Sequence, residues 1–286
     1  MISEGPAETL RRLGAEAQRL ESPCGEGRMV WRSWGEGPAL VLLHGGAGSW
    51  RHWVRTVPAF GRDHRVLAPD LPGLGESADP PAPPDMPAVS AIVAAGIDRV
   101  LGPRAAYDLV GFSFGASVGG HVALRHAERV RSLTLVGAGG LVRPRTPMVL
   151  ERVRDKTGEA LAQAHRTNLE RIMIADPARI DALATEIQDW NSRHARLDSP
   201  ALIAKRPLAV SLPQLRVPVN AIWGERDQLA YYTIEDRVAA LRALCPAVLL
   251  RIIPVSGHWA AYEFADEFNT MLTEMLRARI ISGGYK

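Results

Sequence analysis

The pentapeptide Gly-Phe-Ser-Phe-Gly at residues 111–115 constrains the fold more than any other feature of the sequence. The mostly apolar residues 106–110 predict a short buried strand directly before it, and residues 116–126 predict a helix directly after it. A sharp turn between strand and helix needs glycine where a side chain would collide with the crossing backbone. G-x-S-x-G in this context is typical of a turn that presents its serine, Ser113, as a nucleophile at the carboxyl end of a sheet. Without the strand and the helix, the pentapeptide would indicate only a Gly-Ser turn.

Strand-like and helix-like segments alternate on both sides of this turn. Residues 28–34 alternate enough to predict an edge strand, and further segments of strand length occur at 39–43, 66–69, 130–136, 217–223 and 248–253. Between residues 141 and 212 the pattern is helical, most clearly at 148–165 and 179–191. The sequence therefore predicts an α/β core domain, residues 1–140 and 213–286, with a helical cap or lid, residues 141–212, inserted between two strands. A purely structural helical subdomain is the alternative.

The residues that would activate the serine follow it in the chain. A serine hydroxyl is a weak nucleophile until a base takes its proton, and a third group must orient that base. In this type of sheet the order is serine, then acid, then histidine. Asp227 and His258 satisfy that order, each in a loop after an apolar strand. We predict Ser113, Asp227 and His258 as the catalytic residues, with Glu225 as the alternative acid.

A glycine-rich loop, His-Gly-Gly-Ala-Gly-Ser at residues 44–49, follows another buried strand. Its glycines do not form G-x-G-x-x-G, and Gly-Lys-Ser/Thr is missing, so the dinucleotide and P-loop patterns both fail. Backbone N–H donors for an oxyanion suit the loop best, because the serine turn requires a second donor from this place in the fold. We predict the N–H groups of Gly46 and Phe114 as the oxyanion hole, and His44 as a structural hydrogen-bonding residue.

Composition excludes several classes of partner. The net charge of +3 and the pI of about 9.1 come from scattered residues, so no nucleic-acid footprint is evident. Cys24 and Cys245 form neither a disulfide framework nor a metal spacing. The first residues lack the apolar region of a signal peptide and predict an amphipathic helix over 6–20. We expect a cytoplasmic protein with a small-molecule substrate and no membrane, nucleic acid or metal, and we leave a homodimer open.

Five segments together resemble the α/β-hydrolase superfamily. They are His44-Gly45-Gly46, Asp-Leu-Pro-Gly-Leu-Gly-Glu-Ser at 70–77, the serine turn at 111–115, Gly-Glu-Arg-Asp at 224–227, and Gly257-His258. They lie in the family's order and cover the chain from about residue 28 to 276. The resemblance implies an eight-stranded, mostly parallel sheet flanked by helices, with no metal and no organic cofactor.

The tail is similar to a narrower group, the meta-cleavage product hydrolases. Residues 258–263 and 265–269 resemble their segment, and Trp259 matches the tryptophan after their catalytic histidine. Those enzymes cut carbon–carbon bonds in vinylogous 1,5-diketones. The chain departs from them at Phe112, where they usually carry asparagine, and in its glycine loop, which reads Gly45-Gly46-Ala47-Gly48 where theirs usually runs on as Gly-x-Gly-Pro-Gly. Three arginines are unranked counterparts of their lid arginine: Arg171, Arg193 and Arg196.

These observations lead to one predicted activity with open alternatives. We predict a serine hydrolase that acts on a small, largely apolar carbonyl substrate, either a carbon–carbon bond hydrolase or a carboxylesterase or lactonase. A non-catalytic binding module on the same fold is the alternative from another class. Predicted substrate contacts are Gly45, Phe112, Trp190 and Trp259, with cap core as the other interpretation of Trp190. Serine in the turn argues against dehalogenase and epoxide hydrolase chemistry, which this fold performs with aspartate.

Overall fold

The structure, a computed structural model, describes residues 4–142, 149–229 and 234–282. Its centre is one sheet of eight strands: β1 (Gln18–Cys24), β2 (Gly27–Trp34), β3 (Ala39–Leu43), β4 (Arg65–Pro69), β5 (Tyr107–Phe112), β6 (Val130–Val136), β7 (Val219–Gly224) and β8 (Leu249–Ile253). The order across the sheet is β1-β2-β4-β3-β5-β6-β7-β8, and only the pairings of β2 with its two neighbours are antiparallel. The predicted α/β fold with a mostly parallel eight-stranded sheet is confirmed.

Helices flank this sheet. In the described ranges they are α1 (Pro6–Glu16), α2 (Val57–Phe60), α3 (Met86–Leu101), α4 (Phe114–Arg125), α5 (Gly158–Ile172), α6 (Ala182–Arg193), α7 (Ser199–Ala204), α8 (Pro207–Ser211), α9 (Ile234–Leu244), α10 (Ala260–Glu263) and α11 (Ala265–Ser282). Short 3₁₀ turns occupy Trp50–Trp53, Pro177–Arg179 and Leu212–Gln214. None of these helices is long and apolar enough to cross a lipid bilayer.

The core lies in two layers, one on each face of the sheet. In β3, Val41 and Leu43 pack with α3 and α4, whereas Leu40 and Leu42 pack with α11 and the Trp50–Trp53 turn. All four side chains are fully buried, as expected for a parallel strand covered on both faces. Because strands β3 to β8 are parallel, their carboxyl ends meet at one edge, and the loops that carry the predicted site residues lie along that edge.

The N-terminal segment corrects one sequence prediction. The predicted helix over residues 6–20 ends at Glu16, and Gln18–Cys24 instead forms the outermost strand β1, paired with β2. Most side chains of β1 are exposed, so its sequence lacks the apolar run that identified the inner strands. α1 buries Leu10 and Leu13, and Trp34 Nε1 donates a hydrogen bond to the Leu13 carbonyl at 2.8 Å. The N-terminal helix is therefore packed on the core.

Residues between β6 and β7 form helices α5 to α8 and two 3₁₀ turns, and their described part contains no strand. The helix predicted at 148–165 begins later, at Gly158, and residue 148 lies outside the described residues. The helix predicted at 179–191 is shifted to Ala182–Arg193, because the Asp181 carboxylate accepts the N–H of Ala184 and caps the helix there.

Candidate active site

Ser113 occupies the junction between β5 and α4. Its φ of 52° and ψ of −107° are strained for a residue with a side chain. The glycines on either side make the turn possible: a Cβ on Gly111 would lie 2.4 Å from the Gly115 carbonyl oxygen, and a Cβ on Gly115 would lie 2.4 Å from the Leu43 carbonyl oxygen. Only glycine fits at both positions, which explains the spacing of the pentapeptide.

His258 and Asp227 form a buried pair in the loops after β8 and β7. His258 Nδ1 lies 2.9 Å from Asp227 Oδ2, and both side chains are almost fully buried. The second oxygen of Asp227 accepts the N–H of Leu229 at 2.9 Å. A carboxylate can only accept, so Nδ1 carries the proton in the neutral ring and Nε2 is left with a lone pair.

Glu225 has a different environment. It is exposed, and its Oε2 accepts the backbone N–H of Val255 at 2.9 Å, which joins the loops after β7 and β8. Of the two candidate acids, the structure brings Asp227 to the His258 ring and directs Glu225 to backbone.

The His258 ring lies at the same sheet edge as Ser113. It packs on the Phe112 ring with centroids 4.8 Å apart, and its Nδ1 is 3.1 Å from where a Cβ on Gly137 would be. Val136, the neighbour of Gly137, accepts the Ser113 N–H at 2.8 Å. Within the described residues, no hydrogen bond joins Ser113 Oγ to the imidazole. The structure thus joins two of the predicted catalytic residues directly and brings the third to the adjacent turn.

The glycine loop is held by two buried histidines. His44 Nε2 accepts the Leu71 N–H at 2.8 Å, while its Nδ1 lies 2.7 Å from the Gly45 carbonyl oxygen. Burial lowers the pKa of His44 to about 4, so the ring is neutral and can accept at Nε2. The second histidine, His52, accepts the Gly45 N–H at 3.3 Å. Both rings fix the path of the loop.

Gly46 and Phe114 face each other across the site. A Cβ on Gly46 would lie 3.7 Å from Phe114 Cβ and only 2.3 Å from Ser199 Oγ in the predicted cap. Within the described residues the Gly46 N–H has no acceptor, and Phe114 begins α4, where a backbone N–H has no partner inside the helix. Two such donors beside a helix N-terminus can bind a negatively charged oxygen.

Two of the predicted substrate contacts, Phe112 and Trp259, belong to a buried aromatic cluster around His52. Their ring centroids are 5.4 and 5.1 Å from that of His52, and Trp259 Nε1 donates to the His52 carbonyl at 2.9 Å. Burial lowers the pKa of His52 well below its ordinary value. Sequence reasoning did not single out His52, since no motif surrounds it and its position depends on packing.

Trp190 lies at the junction of the cap, α1 and the core. Its ring stacks on His194 with centroids 3.9 Å apart, and the Arg51 guanidinium lies 3.4 Å from its centre. Trp190 and Arg51 also line a cavity of about 280 Å³ against α1. These contacts occupy both faces of the indole.

The three candidate lid arginines all have carboxylate partners. Arg171 pairs with Glu151 at 3.1 Å and Arg196 pairs with Asp79 at 2.7 Å. Arg193 pairs with Asp189 one helical turn away. Each of the three side chains is at least 40% exposed. Their charge is therefore matched on the protein surface.

Glu263 is a buried carboxylate that the sequence did not identify as part of the site. Its Oε2 accepts the Gly257 N–H at 2.6 Å, and its Oε1 accepts the Asp176 N–H at 2.8 Å. It therefore connects the histidine loop to the predicted cap. The only signal in the sequence was its place in the tail segment 258–263. Within the described ranges, no three His, Cys, Asp or Glu side chains cluster as metal ligands would.

Comparison with known proteins identifies the family of the chain. A family model described as alpha/beta hydrolase fold matches residues 38–265. A 2-hydroxy-6-oxononadienedioate/2-hydroxy-6-oxononatrienedioate hydrolase of Burkholderia vietnamiensis is 30% identical over 259 residues, 84% of this chain and 87% of that protein. Two solved structures are each 22% identical to this chain. One is a meta-cleavage product hydrolase from Pseudomonas fluorescens, with a TM-score of 0.73 over 92% of this chain and 99% of its own. The other is the enol-lactonase from Burkholderia xenovorans, with a TM-score of 0.74 over 90% of this chain and 100% of its own. The predicted likeness to meta-cleavage product hydrolases is confirmed, and the chain belongs to the alpha/beta hydrolase fold family.

Proposed function

We propose that the protein is a serine hydrolase in which Ser113 attacks a carbonyl group, His258 transfers the proton and Asp227 orients His258. The buried contact of 2.9 Å between His258 Nδ1 and Asp227 Oδ2 carries this proposal. Since Nδ1–H donates to Asp227, Nε2 is the nitrogen that accepts the serine proton. The strained backbone of Ser113 supports the same role, because such strain is found mainly at functional sites.

The reaction proceeds through an acyl-enzyme. Ser113 Oγ forms a bond to the carbonyl carbon while its proton passes to His258 Nε2, and the π electrons move to the carbonyl oxygen. The N–H groups of Gly46 and Phe114 stabilise that oxyanion. When the carbonyl re-forms, the bond to the leaving group breaks and the leaving group takes the proton from His258. Water, deprotonated by the same imidazole, then hydrolyses the acyl-enzyme and releases Ser113.

Residues 141–212 act as the lid in this proposal. The cap contacts the histidine loop, where the backbone N–H of Trp259 donates to the Met173 carbonyl at 2.7 Å. It also contacts the glycine loop through Ser199. A segment that contacts both loops can exclude water from the reacting atoms when it is closed.

The first test is Ser113→Ala with an activated ester such as p-nitrophenyl acetate. We expect turnover to fall by at least about 10⁴-fold with unchanged thermal stability, because the nucleophile is removed and the turn is retained. Ser90→Ala, a buried serine in α3 whose hydroxyl bonds to the Pro87 carbonyl, is the matched control and should keep full activity. Undiminished turnover by Ser113→Ala would refute the assignment. A stable wild-type protein with no turnover of any carbonyl substrate would favour a binding module.

Two substrate classes are candidates, each supported by a different observation. The similarity to the hydrolase of Burkholderia vietnamiensis favours carbon–carbon bond hydrolysis of a dienol acid. The surface ion pairs of the three lid arginines favour an uncharged ester or lactone, since none of the three has an unmatched charge for a substrate carboxylate. In either case Gly45 and Phe112 are the proposed contacts nearest the nucleophile, because a Cβ on Gly45 would lie 3.4 Å from Ser113 Cβ and 3.0 Å from the Phe112 ring.

A direct comparison of kcat/KM separates the two classes. The assay offers a ring-cleavage dienol acid and a panel of aryl and alkyl esters and enol-lactones to the same preparation. Carbon–carbon hydrolysis predicts that the dienol acid matches or exceeds the best ester. An advantage for esters on the order of 10²-fold or more would contradict it and leave the ester or lactone candidate.

A further inference from the structure

Ser199 brings a cap side chain to the glycine loop. It is the first residue of α7, and only 3% of its surface is exposed. A Cβ on Gly46 would lie 2.3 Å from Ser199 Oγ and 3.2 Å from Ser199 Cβ. The serine side chain therefore fills the space that a side chain at position 46 would take, and glycine at position 46 is what admits it.

α7 as a whole lies against the turn that carries the nucleophile. Ile203, one helical turn after Ser199, comes within 3.1 Å of where a Cβ on Gly139 would be. The Gly139 N–H in turn donates to the Ser113 carbonyl at 3.2 Å. The same Cβ position on Gly46 that meets Ser199 is 3.7 Å from Phe114 Cβ. The Ser199 hydroxyl thus lies beside Gly46, the residue that supplies one of the two proposed oxyanion donors.

The hydroxyl has no partner of its own. Serine at a helix start usually caps the helix, but here the Asp198 carboxylate does so by accepting the Ala201 N–H at 3.1 Å. The backbone N–H of Ser199 donates to the Leu197 carbonyl. Among the described residues Ser199 Oγ forms no hydrogen bond. The hydroxyl can therefore donate to an atom of a bound molecule without giving up a bond within the protein.

We propose that the Ser199 hydroxyl is a third hydrogen-bond donor to the oxyanion, beside the N–H groups of Gly46 and Phe114. The inference rests on the proposed serine hydrolase function. As Ser113 Oγ bonds to the carbonyl carbon, the π pair moves to oxygen, and the Ser199 O–H donates to that oxygen without giving up its proton. Because the donor belongs to the cap, the oxyanion site is complete only when α7 is in place, which couples cap position to the chemical step.

The test compares Ser199→Ala and Ser199→Cys with the wild type on p-nitrophenyl acetate. Loss of one oxyanion donor should lower kcat by about 10²-fold and leave KM within about threefold. Cysteine is somewhat larger than serine but only a weak donor, so it fills the space without replacing the hydrogen bond, and Ser199→Cys should resemble Ser199→Ala. Affinity for a trifluoromethyl ketone, which forms the same oxyanion, should fall in parallel with kcat. Ser211→Ala is the control, a buried cap serine whose hydroxyl bonds to the Leu208 carbonyl, and it should keep full activity.

Three outcomes would overturn the inference. The first is a kcat within about twofold of wild type in both variants, and the second is a change in KM with kcat unaltered. The third is a fully active Ser199→Cys together with an impaired Ser199→Ala, which would indicate that Ser199 acts by packing alone. Ser113→Ala is measured in parallel to separate the two proposals. An active Ser113→Ala refutes the proposed function itself. An inactive Ser113→Ala with unimpaired Ser199 variants refutes only the third donor.

Discussion

The loop after β7 carries two carboxylates with different partners: Asp227 contacts the His258 ring, and Glu225 accepts the Val255 N–H. Substitution of each carboxylate separately tests which of them the activity requires. Asp227→Asn replaces an acceptor beside His258 Nδ1 with an amide that can donate, which favours the wrong ring tautomer. We expect kcat on an activated ester to fall by about 10⁴-fold with little change in stability.

Glu225→Gln is the matched control for that variant. Its amide oxygen can still accept the Val255 N–H, so the loop contact is kept and activity should stay within about twofold of wild type. The opposite pattern, an active Asp227→Asn and an inactive Glu225→Gln, would move the orienting role to Glu225.

The roles of individual residues could be predicted from the sequence where they follow from position along the chain. The serine turn, the loops after strands and the preference for Asp227 over Glu225 all came from position along the chain. His52 and Ser199 could not be found that way. His52 reaches Gly45 through packing of the Trp50–Trp53 turn, and Ser199 reaches Gly46 through packing of the cap on the core.

Among the elements, one buried carboxylate bridges the histidine loop and the helical segment between β6 and β7. Glu263 accepts N–H groups from Gly257 and Asp176, which lie on opposite sides of that bridge. In Glu263→Gln one acceptor becomes an NH₂ group facing an N–H donor. We expect unfolding free energy to fall by about 2 kcal/mol and kcat to fall several-fold, because the loop carrying His258 loses its anchor.

Urea unfolding and ester kinetics on the same preparations check this expectation. Glu267→Gln is the matched control, an exposed glutamate on α11, and should change neither quantity. A Glu263→Gln protein with wild-type stability and wild-type kcat would show that the bridge contributes nothing to either.

Elements with a buried apolar pattern were predictable, and those at the periphery were not. β3, β5 and β6 are fully or almost fully buried, so the sequence of β3 is a continuous apolar run and those of β5 and β6 are mostly apolar. β1 lies at the sheet edge with mostly polar side chains and was assigned in part to the N-terminal helix. Boundaries in the cap shifted because Asp181 and the irregular segment before Gly158 fix where the helices begin, independently of helical periodicity.

For the whole molecule, neutral buried histidines make the unfolding free energy depend on pH. Burial lowers the pKa of His44 to about 4 and that of His52 well below its ordinary value. Both bind fewer protons folded than unfolded, so their contribution is fully present above the unfolded pKa of about 6.5 and is lost as pH falls toward the folded value. For His44 the loss is about 2 kcal/mol between pH 7 and pH 5. Burial raises the pKa of Asp70, which makes the folded state more stable as pH falls and so opposes the effect of the histidines. The pH dependence of the wild-type unfolding free energy therefore does not isolate His44.

A comparison of wild type with His44→Asn isolates the effect. At pH 7 the variant should be less stable, because the Leu71 N–H loses its imidazole acceptor. Its deficit in unfolding free energy should shrink by about 2 kcal/mol by pH 5, since His44 gains a proton in the unfolded wild-type chain over this range and the variant has no such group. Urea unfolding at pH 7, 6 and 5 measures this, with His64→Asn, at a histidine bonded to the exposed Asp63, measured in parallel as the control. A constant deficit for His44→Asn would mean that His44 is not neutral at the base of the glycine loop, and the hydrogen bonds that hold Gly45 would then need a different explanation.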